Sequence, residues 1–133
     1  MGEQAEEGKV RHNKFSDLDE EWMNEKLSRR LVVGKNMMLG YVFLKKGCLV
    51  LAHKHVSEQF TIILKGALEF STQGKKIVVK EGETLLIPPN VEHAAVALED
   101  TIDLDCFSPL REDWLNGSDL YLRSGNTVPK KSN

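Results

Sequence analysis

Gly47-Cys48-Leu49-Val50-Leu51-Ala52-His53-Lys54-His55-Val56-Ser57-Glu58-Gln59 leaves a turn at Lys45-Lys46-Gly47 and carries a short apolar β-type segment into two histidines two residues apart. Side chains on a strand alternate between faces, so His53 and His55 are expected to project together while Lys54 turns to solvent. Two imidazoles on one face can converge on a metal ion, although such pairs also occur as solvated surface. Gln59 follows as a further candidate ligand. Glu58 beside it should face the other way on a regular strand, which favours Gln59; a bulge at this point would exchange the two.

Outward from this stretch the pattern repeats. Leu31-Val32-Val33, Met37 to Leu44, Phe60 to Leu64, Leu68 to Phe70, Ile77 to Val79, Leu85 to Ile87, Ala94 to Leu98 and Ile102 to Phe107 are short β-type segments. Each is bounded by Gly, Pro, Asn or charged turn residues, and Gln73-Gly74-Lys75 reads as a hairpin connection. Short strands at regular spacing without strand–helix alternation predict an all-β sandwich or barrel. Residues 1–16 read as a flexible N-terminal arm, residues 17–123 as one domain and residues 124–133 as a disordered tail. One helical turn is expected near Asp17–Trp22, capped by Ser16. A second short helix at Arg111–Leu115 is expected to pack Trp114 on the barrel wall, and Trp22 reads as a packing residue.

A formal net charge of −2 over 133 residues, with lysine pairs scattered along the chain, gives no electrostatic case for a nucleic-acid partner. The apolar runs are too short to cross a bilayer and the first residues are polar, so the expected location is cytoplasmic, with no membrane partner. Cys48 and Cys106 lack metal-type spacing and read as two buried thiols in a reducing compartment.

Gly82-Glu83-Thr84-Leu85-Leu86-Ile87-Pro88-Pro89-Asn90-Val91-Glu92-His93 adds a third histidine behind a turn built by two prolines. Together, Gly-x5-His-x-His-x3-Gln, then Gly66, and Gly-x5-Pro-x4-His resemble the two motifs of the cupin superfamily. The resemblance implies an RmlC-like cupin, a double-stranded β-helix or jelly-roll barrel. It also implies one divalent metal on His53, His55, Gln59 and His93. Three departures stand out: Gln59 where an acidic ligand is usual, Asn90 where the second motif has Gly, and Ala97 where it closes on Asn. Asn tolerates the left-handed conformation that Gly supplies, so Asn90 is a mild change. Neutral Gln59 leaves the full charge on the metal, which favours an anionic oxygen ligand and Lewis-acid chemistry toward a carbonyl or enolate. Ligand type alone does not choose among Fe, Mn, Co, Ni and Zn.

Asp103-Leu104-Asp105-Cys106-Phe107-Ser108-Pro109-Leu110-Arg111 is the third informative piece. On a strand, Asp103, Asp105 and Phe107 share a face. Turned inward, an acid beside a phenyl ring is desolvated and suited to proton transfer, and Arg111 is placed to clamp a substrate carboxylate. The alternative, favoured by composition alone, is an edge strand with its aspartates in water and Arg111 paired to Glu112 or Asp113. His-x-His-x2-Glu-Gln followed by Asp-x-Phe-Ser-Pro-x-Arg-Glu-Asp-Trp resembles the pectin-degradation cupins, which linearise 4,5-unsaturated monouronates. That resemblance implies Asp105 as acid/base, Phe107 as a pocket wall and Arg111 as the carboxylate site.

The leading expectation is therefore a metal-dependent enzyme of isomerase or lyase type, acting on an anionic carboxylated keto or unsaturated sugar-like small molecule. The alternatives are an Fe-dependent dioxygenase and a non-catalytic, metal-stabilised binding cupin. Cupins of this kind commonly pair, so a homodimer is expected, with residues 1–30 able to add a strand to a partner sheet.

Overall fold

The computed structural model describes residues 3–4 and 7–123. Along them run eleven strands: β1 (Glu3–Gln4), β2 (Glu21–Asn24), β3 (Leu27–Val33), β4 (Met38–Leu44), β5 (Leu49–His53), β6 (Glu58–Lys65), β7 (Ala67–Thr72), β8 (Lys75–Lys80), β9 (Thr84–Ile87), β10 (His93–Ala97) and β11 (Thr101–Ser108). Two short helices, α1 (Glu112–Asn116) and α2 (Leu120–Arg123), follow. One sheet has the order β1-β3-β4-β11-β6-β9, with β2 also pairing with β3, and the other the order β5-β10-β7-β8. All pairings are antiparallel except β1 with β3. The all-β jelly-roll expectation holds. No helix among the described residues is long and apolar enough to cross a membrane.

Period-two burial sets which residues face the interior. In β4, Met38, Gly40, Val42 and Leu44 are buried while the residues between them are half-exposed. In β11 the inward row is Thr101, Asp103, Asp105 and Phe107. Registration of β11 between β4 and β6 puts Phe107 opposite Met38 and Gln59, Asp105 opposite Gly40 and Thr61, and Asp103 opposite Val42 and Ile63. One end of the interior is therefore polar, and the rest is filled by Leu27, Leu31, Leu44, Ile63, Leu68 and Phe70. Gly40 leaves the space that the Trp114 ring fills: a Cβ there would lie 2.7 Å from Trp114 Cζ3. The β7–β8 hairpin turns on Gln73 and Gly74, both at positive φ, as a two-residue hairpin loop requires.

Four local expectations need correction. The helical turn near Asp17–Trp22 is instead a 3-10 turn at Phe15–Asp17 without a side-chain cap, and Glu21 and Trp22 belong to β2. Packing wins here, because β2 buries Met23 against the core while pairing with β3. Trp22 is 48% exposed, edge-on to Phe43 and beneath the Lys45 ammonium, so it covers the surface rather than filling the core. Cys48 is buried, with its thiol pushed up to about 11 by desolvation, but Cys106 is only half-buried; both are free. β11, with its aspartates, is an interior strand and not an edge. Within the arm, Phe15 stacks on Tyr41 and Arg11 donates to the Val33 carbonyl. The tail at 124–133 lies outside the described residues.

Candidate metal centre

Three chain segments meet at the polar end of the barrel. His53 closes β5 and stands opposite His93, which opens β10. The strand ends at His53, so His55 belongs to the connection into β6 rather than to the same strand face; its carbonyl accepts from the Asn90 amide at 2.8 Å. Asn90 takes φ 63, the left-handed conformation its position requires. Gln59 lies inside β6 and is buried, whereas Glu58 and Lys54 are exposed.

The three imidazoles are oriented alike. His53 Nδ1 lies 2.8 Å from the Leu51 carbonyl, His55 Nδ1 2.9 Å from that of Ser57, and His93 Nδ1 2.8 Å from that of Val91. A carbonyl accepts only, so each Nδ1 carries the proton and each Nε2 keeps a lone pair, the arrangement second-shell bonds give to metal-binding histidines. The candidate ligand nitrogens lie within 4.8 Å of one another. His93 Nε2 is buried with no hydrogen-bond partner. His55 Nε2 faces Gln59 Oε1 at 3.1 Å, two lone-pair atoms turned toward each other. An orphaned buried acceptor and a facing acceptor pair fit a cation between them, and the donor set of imidazole and amide suits a first-row transition metal. Burial holds the rings neutral: desolvation, with further repulsion from neighbouring histidines and Arg111, brings His53 down to about 3 and His55 to about 4, and lowers His93.

Beside these ligands lies an acid pair. Asp103 and Asp105 are both buried, and desolvation raises both carboxyls, Asp103 the more because Asp105 lies beside it. Thr61 donates to Asp105 Oδ1 at 2.7 Å, and Gln59 Nε2 donates to Thr61 Oγ1 at 2.8 Å. Asp103 Oδ1 is buried without a partner. Phe107 sits edge-on to His55 and to Trp114. The Arg111 guanidinium stands 5.0 Å from the centroid of the Phe107 ring and 5.1 Å from that of Trp114. Its Nε and Nη2 grip Asp113 at 3.0 and 2.8 Å, so the Arg111–Asp113 pairing exists, but with the arginine buried. Burial opposes its charge, yet Asp113 and Tyr121 together outweigh this and raise its pKa.

Comparison with known proteins follows this geometry. The cupin domain family model matches residues 40–108, which hold His53, His55, Gln59, His93, Asp105 and Phe107. The chain is a cupin. It is 28% identical over 106 residues to the pectin degradation protein KdgF of Dickeya dadantii, covering 76% of this chain and 96% of that protein. Among solved structures it resembles an RmlC-like cupin from Shewanella frigidimarina at TM-score 0.74 and 25% identity, covering 80% and 96% of the two chains. It also resembles KdgF from a Halomonas species at TM-score 0.70 and 28% identity, covering 74% and 94%.

Beyond the matched segment this cupin carries residues that pattern reading missed. Tyr121 on α2 stacks on His53 with centroids 3.9 Å apart, and its hydroxyl meets Arg111 Nη2 and accepts from Trp114 Nε1 at 3.0 Å. The helix is held down by Asp119, fully buried and 2.6 Å from Arg29 Nη1, with Arg123 bonded to both Asp119 and Glu21. Asn24 adds a bond to the Leu122 carbonyl at 2.7 Å. With α2 seated, the cavity lined by His53, His93, Asp103, Asp105, Arg111 and Tyr121 measures about 50 Å³, room for a few waters. The contacts of Arg29 with Asp119, Asn24 with Leu122 and Glu21 with Arg123 span 90, 98 and 102 residues, and no local spacing signals them.

Proposed function

We propose that this cupin is a metal-dependent enzyme of isomerase or lyase type acting on a small carboxylated keto or unsaturated sugar compound. The observation that carries the proposal is one cavity lined by His53, His93, Gln59, Asp105 and Arg111, with His55 at its edge: a donor set for a cation, a buried acid and a buried guanidinium together. Similarity to a pectin degradation protein directs the choice of substrate to unsaturated uronates. His53, His55, His93 and Gln59 would hold one divalent transition metal, which supplies Lewis acidity toward a carbonyl or enolate oxygen.

Arg111 binds the substrate carboxylate through the Nη2 hydrogen that now meets the Tyr121 hydroxyl, since Nε and the other Nη2 hydrogen grip Asp113. Tyr121 has to leave that position for the carboxylate to enter. Asp105 moves the proton at carbon: burial raises its carboxyl, making it a stronger base than an exposed aspartate, and Thr61 holds one of its oxygens in place. Phe107 and Trp114 wall the site and keep water from the reacting carbon.

The test is turnover of a 4,5-unsaturated monouronate by two variants. Asp105→Asn should lower kcat by about a hundredfold or more, the usual scale for losing a positioned acid/base. Arg111→Ala should act mainly through KM. Wild-type rates in both variants would refute the mechanism.

A homodimer belongs to the same proposal. On the outer sheet face Phe60 stands opposite Leu86, and with Leu64 they are 50%, 49% and 43% exposed, an apolar row suited to a second copy. Light scattering should give twice the chain mass, and Phe60→Asp should give a monomer.

A further inference from the structure

A Gln ligand differs from a carboxylate in one respect: it has a wrong way round. Turned by 180° about its last bond, Gln59 would present an NH₂ group, not an oxygen, to the histidines. Something has to choose, and hydrogen-bond accounting identifies it. Thr61 has one hydroxyl proton, and Asp105 Oδ1 at 2.7 Å takes it. The Thr61 oxygen is then only an acceptor toward Gln59, so the Gln59 atom 2.8 Å away must be its nitrogen. This assignment sends Oε1 to the other side, where it faces His55 Nε2 at 3.1 Å.

The fold makes this chain rigid. Thr61 is directly opposite Asp105 across the β6–β11 ladder, and Gln59 lies two residues along β6 on the same inward face. Thr61 is fully buried and Asp105 nearly so. Thr61 appears in neither of the two motifs read from the sequence, and nothing in its local pattern marks it.

We infer that Thr61, anchored by Asp105, is a positioning residue that fixes the Gln59 amide with its oxygen toward the three histidines. This rests on Gln59 being a metal ligand but not on any substrate. It also explains how a neutral amide serves where an acidic ligand is usual, and it makes Asp105 a partner of the ligand set as well as of the substrate.

Binding of Mn(II) alone to the full chain, followed by titration calorimetry and by the loss of the free-ion resonance signal, tests the inference. Thr61→Val keeps the shape but removes the hydroxyl, and should weaken Mn(II) binding about tenfold, the lower end of the scale for losing an outer-shell partner. Thr61→Ser should stay within about twofold of wild type by the same measure. Gln59→Glu supplies the decisive background, because a carboxylate has two equivalent oxygens and no wrong way round. There, adding Thr61→Val should cost less than about twofold. An equal loss in both backgrounds would make Thr61 merely structural and overturn the inference, as would no loss in either. A wild-type protein that binds no Mn(II) or Zn(II) would overturn the metal assignment itself.

Discussion

Tyr121 lies flat on His53, ring centroids 3.9 Å apart and planes 21° from parallel, while its hydroxyl reaches Arg111 and Trp114. The residue that stacks on the histidine cluster thus also occupies the guanidinium proposed to bind the substrate carboxylate. Burial raises its phenol, so it stays a neutral hydroxyl across the physiological range.

Access to the ligands should therefore depend on this ring. In Tyr121→Ala, the rate at which a chelator strips Zn(II) from loaded protein should rise about tenfold, a loss of shielding worth roughly 1.4 kcal/mol. An unchanged rate would mean that the metal leaves by another route and that α2 is not the cover.

The seat of α2 should be costly to undo. Arg29 and Asp119 form a pair with side chains 1% and 0% exposed, and removing one partner strands the other charge. Arg29 keeps its bonds to Glu21 and to the Trp114 carbonyl, which softens the loss. Asp119→Ala should lower the urea unfolding free energy by about 3 kcal/mol, the low end for breaking a buried pair. A change below about 1 kcal/mol would place Asp119 outside the load of the fold.

Much of this architecture can be read from the chain alone, and the boundary has physical causes. Short strands closed by Gly or Pro turns are local signals of an all-β barrel, and the resemblance of the two histidine segments to the cupin motifs implies the jelly roll and the meeting of His53, His55 and His93. The segment Met37–Leu44 is different: both parities are apolar, so only registration with β11 decides that Met38, Gly40, Val42 and Leu44 point inward. Asp105 and Arg111 also resist local reading, because composition sends charged residues to water. The acid is held by Thr61, 44 residues away in sequence, while the guanidinium is held by Asp113 and Tyr121, two and ten residues on, a pairing that composition alone reads as solvated. Arg29 bonds both Asp119 and the Trp114 carbonyl, and Trp114 bonds Tyr121; a network joining Arg29 to residues so far along the chain leaves no periodic trace.

Metal binding should be unusually tolerant of acid. Three ordinary imidazoles titrating near 6.5 would each cost about thirtyfold in affinity on going from pH 7 to pH 5. Here desolvation holds His53 at about 3 and His55 at about 4, so protons compete for Nε2 only near those values. Affinity for Zn(II) should therefore fall much less from pH 7 to pH 5 than three ordinary imidazoles would give, and drop steeply below about pH 4. The sign in stability is the same: the unfolded chain takes up the protons first, so these histidines cost the metal-free fold stability as pH drops below 6.5. Asp103 and Asp105 act the other way, their raised carboxyls giving stability that is present at low pH and lost as pH rises. A steep loss of Zn(II) affinity between pH 7 and 5 would show the histidines to be solvated.

The most direct test combines metal and substrate. Protein purified without a nickel column is assayed for bound metal, then mixed under nitrogen with a 4,5-unsaturated monouronate while the ultraviolet absorbance of the double bond is followed. A fall in absorbance that stops when the metal is chelated and returns when it is restored is the predicted result. An absorbance that holds steady with metal bound, or that falls equally well in chelated protein, would contradict the proposed enzyme.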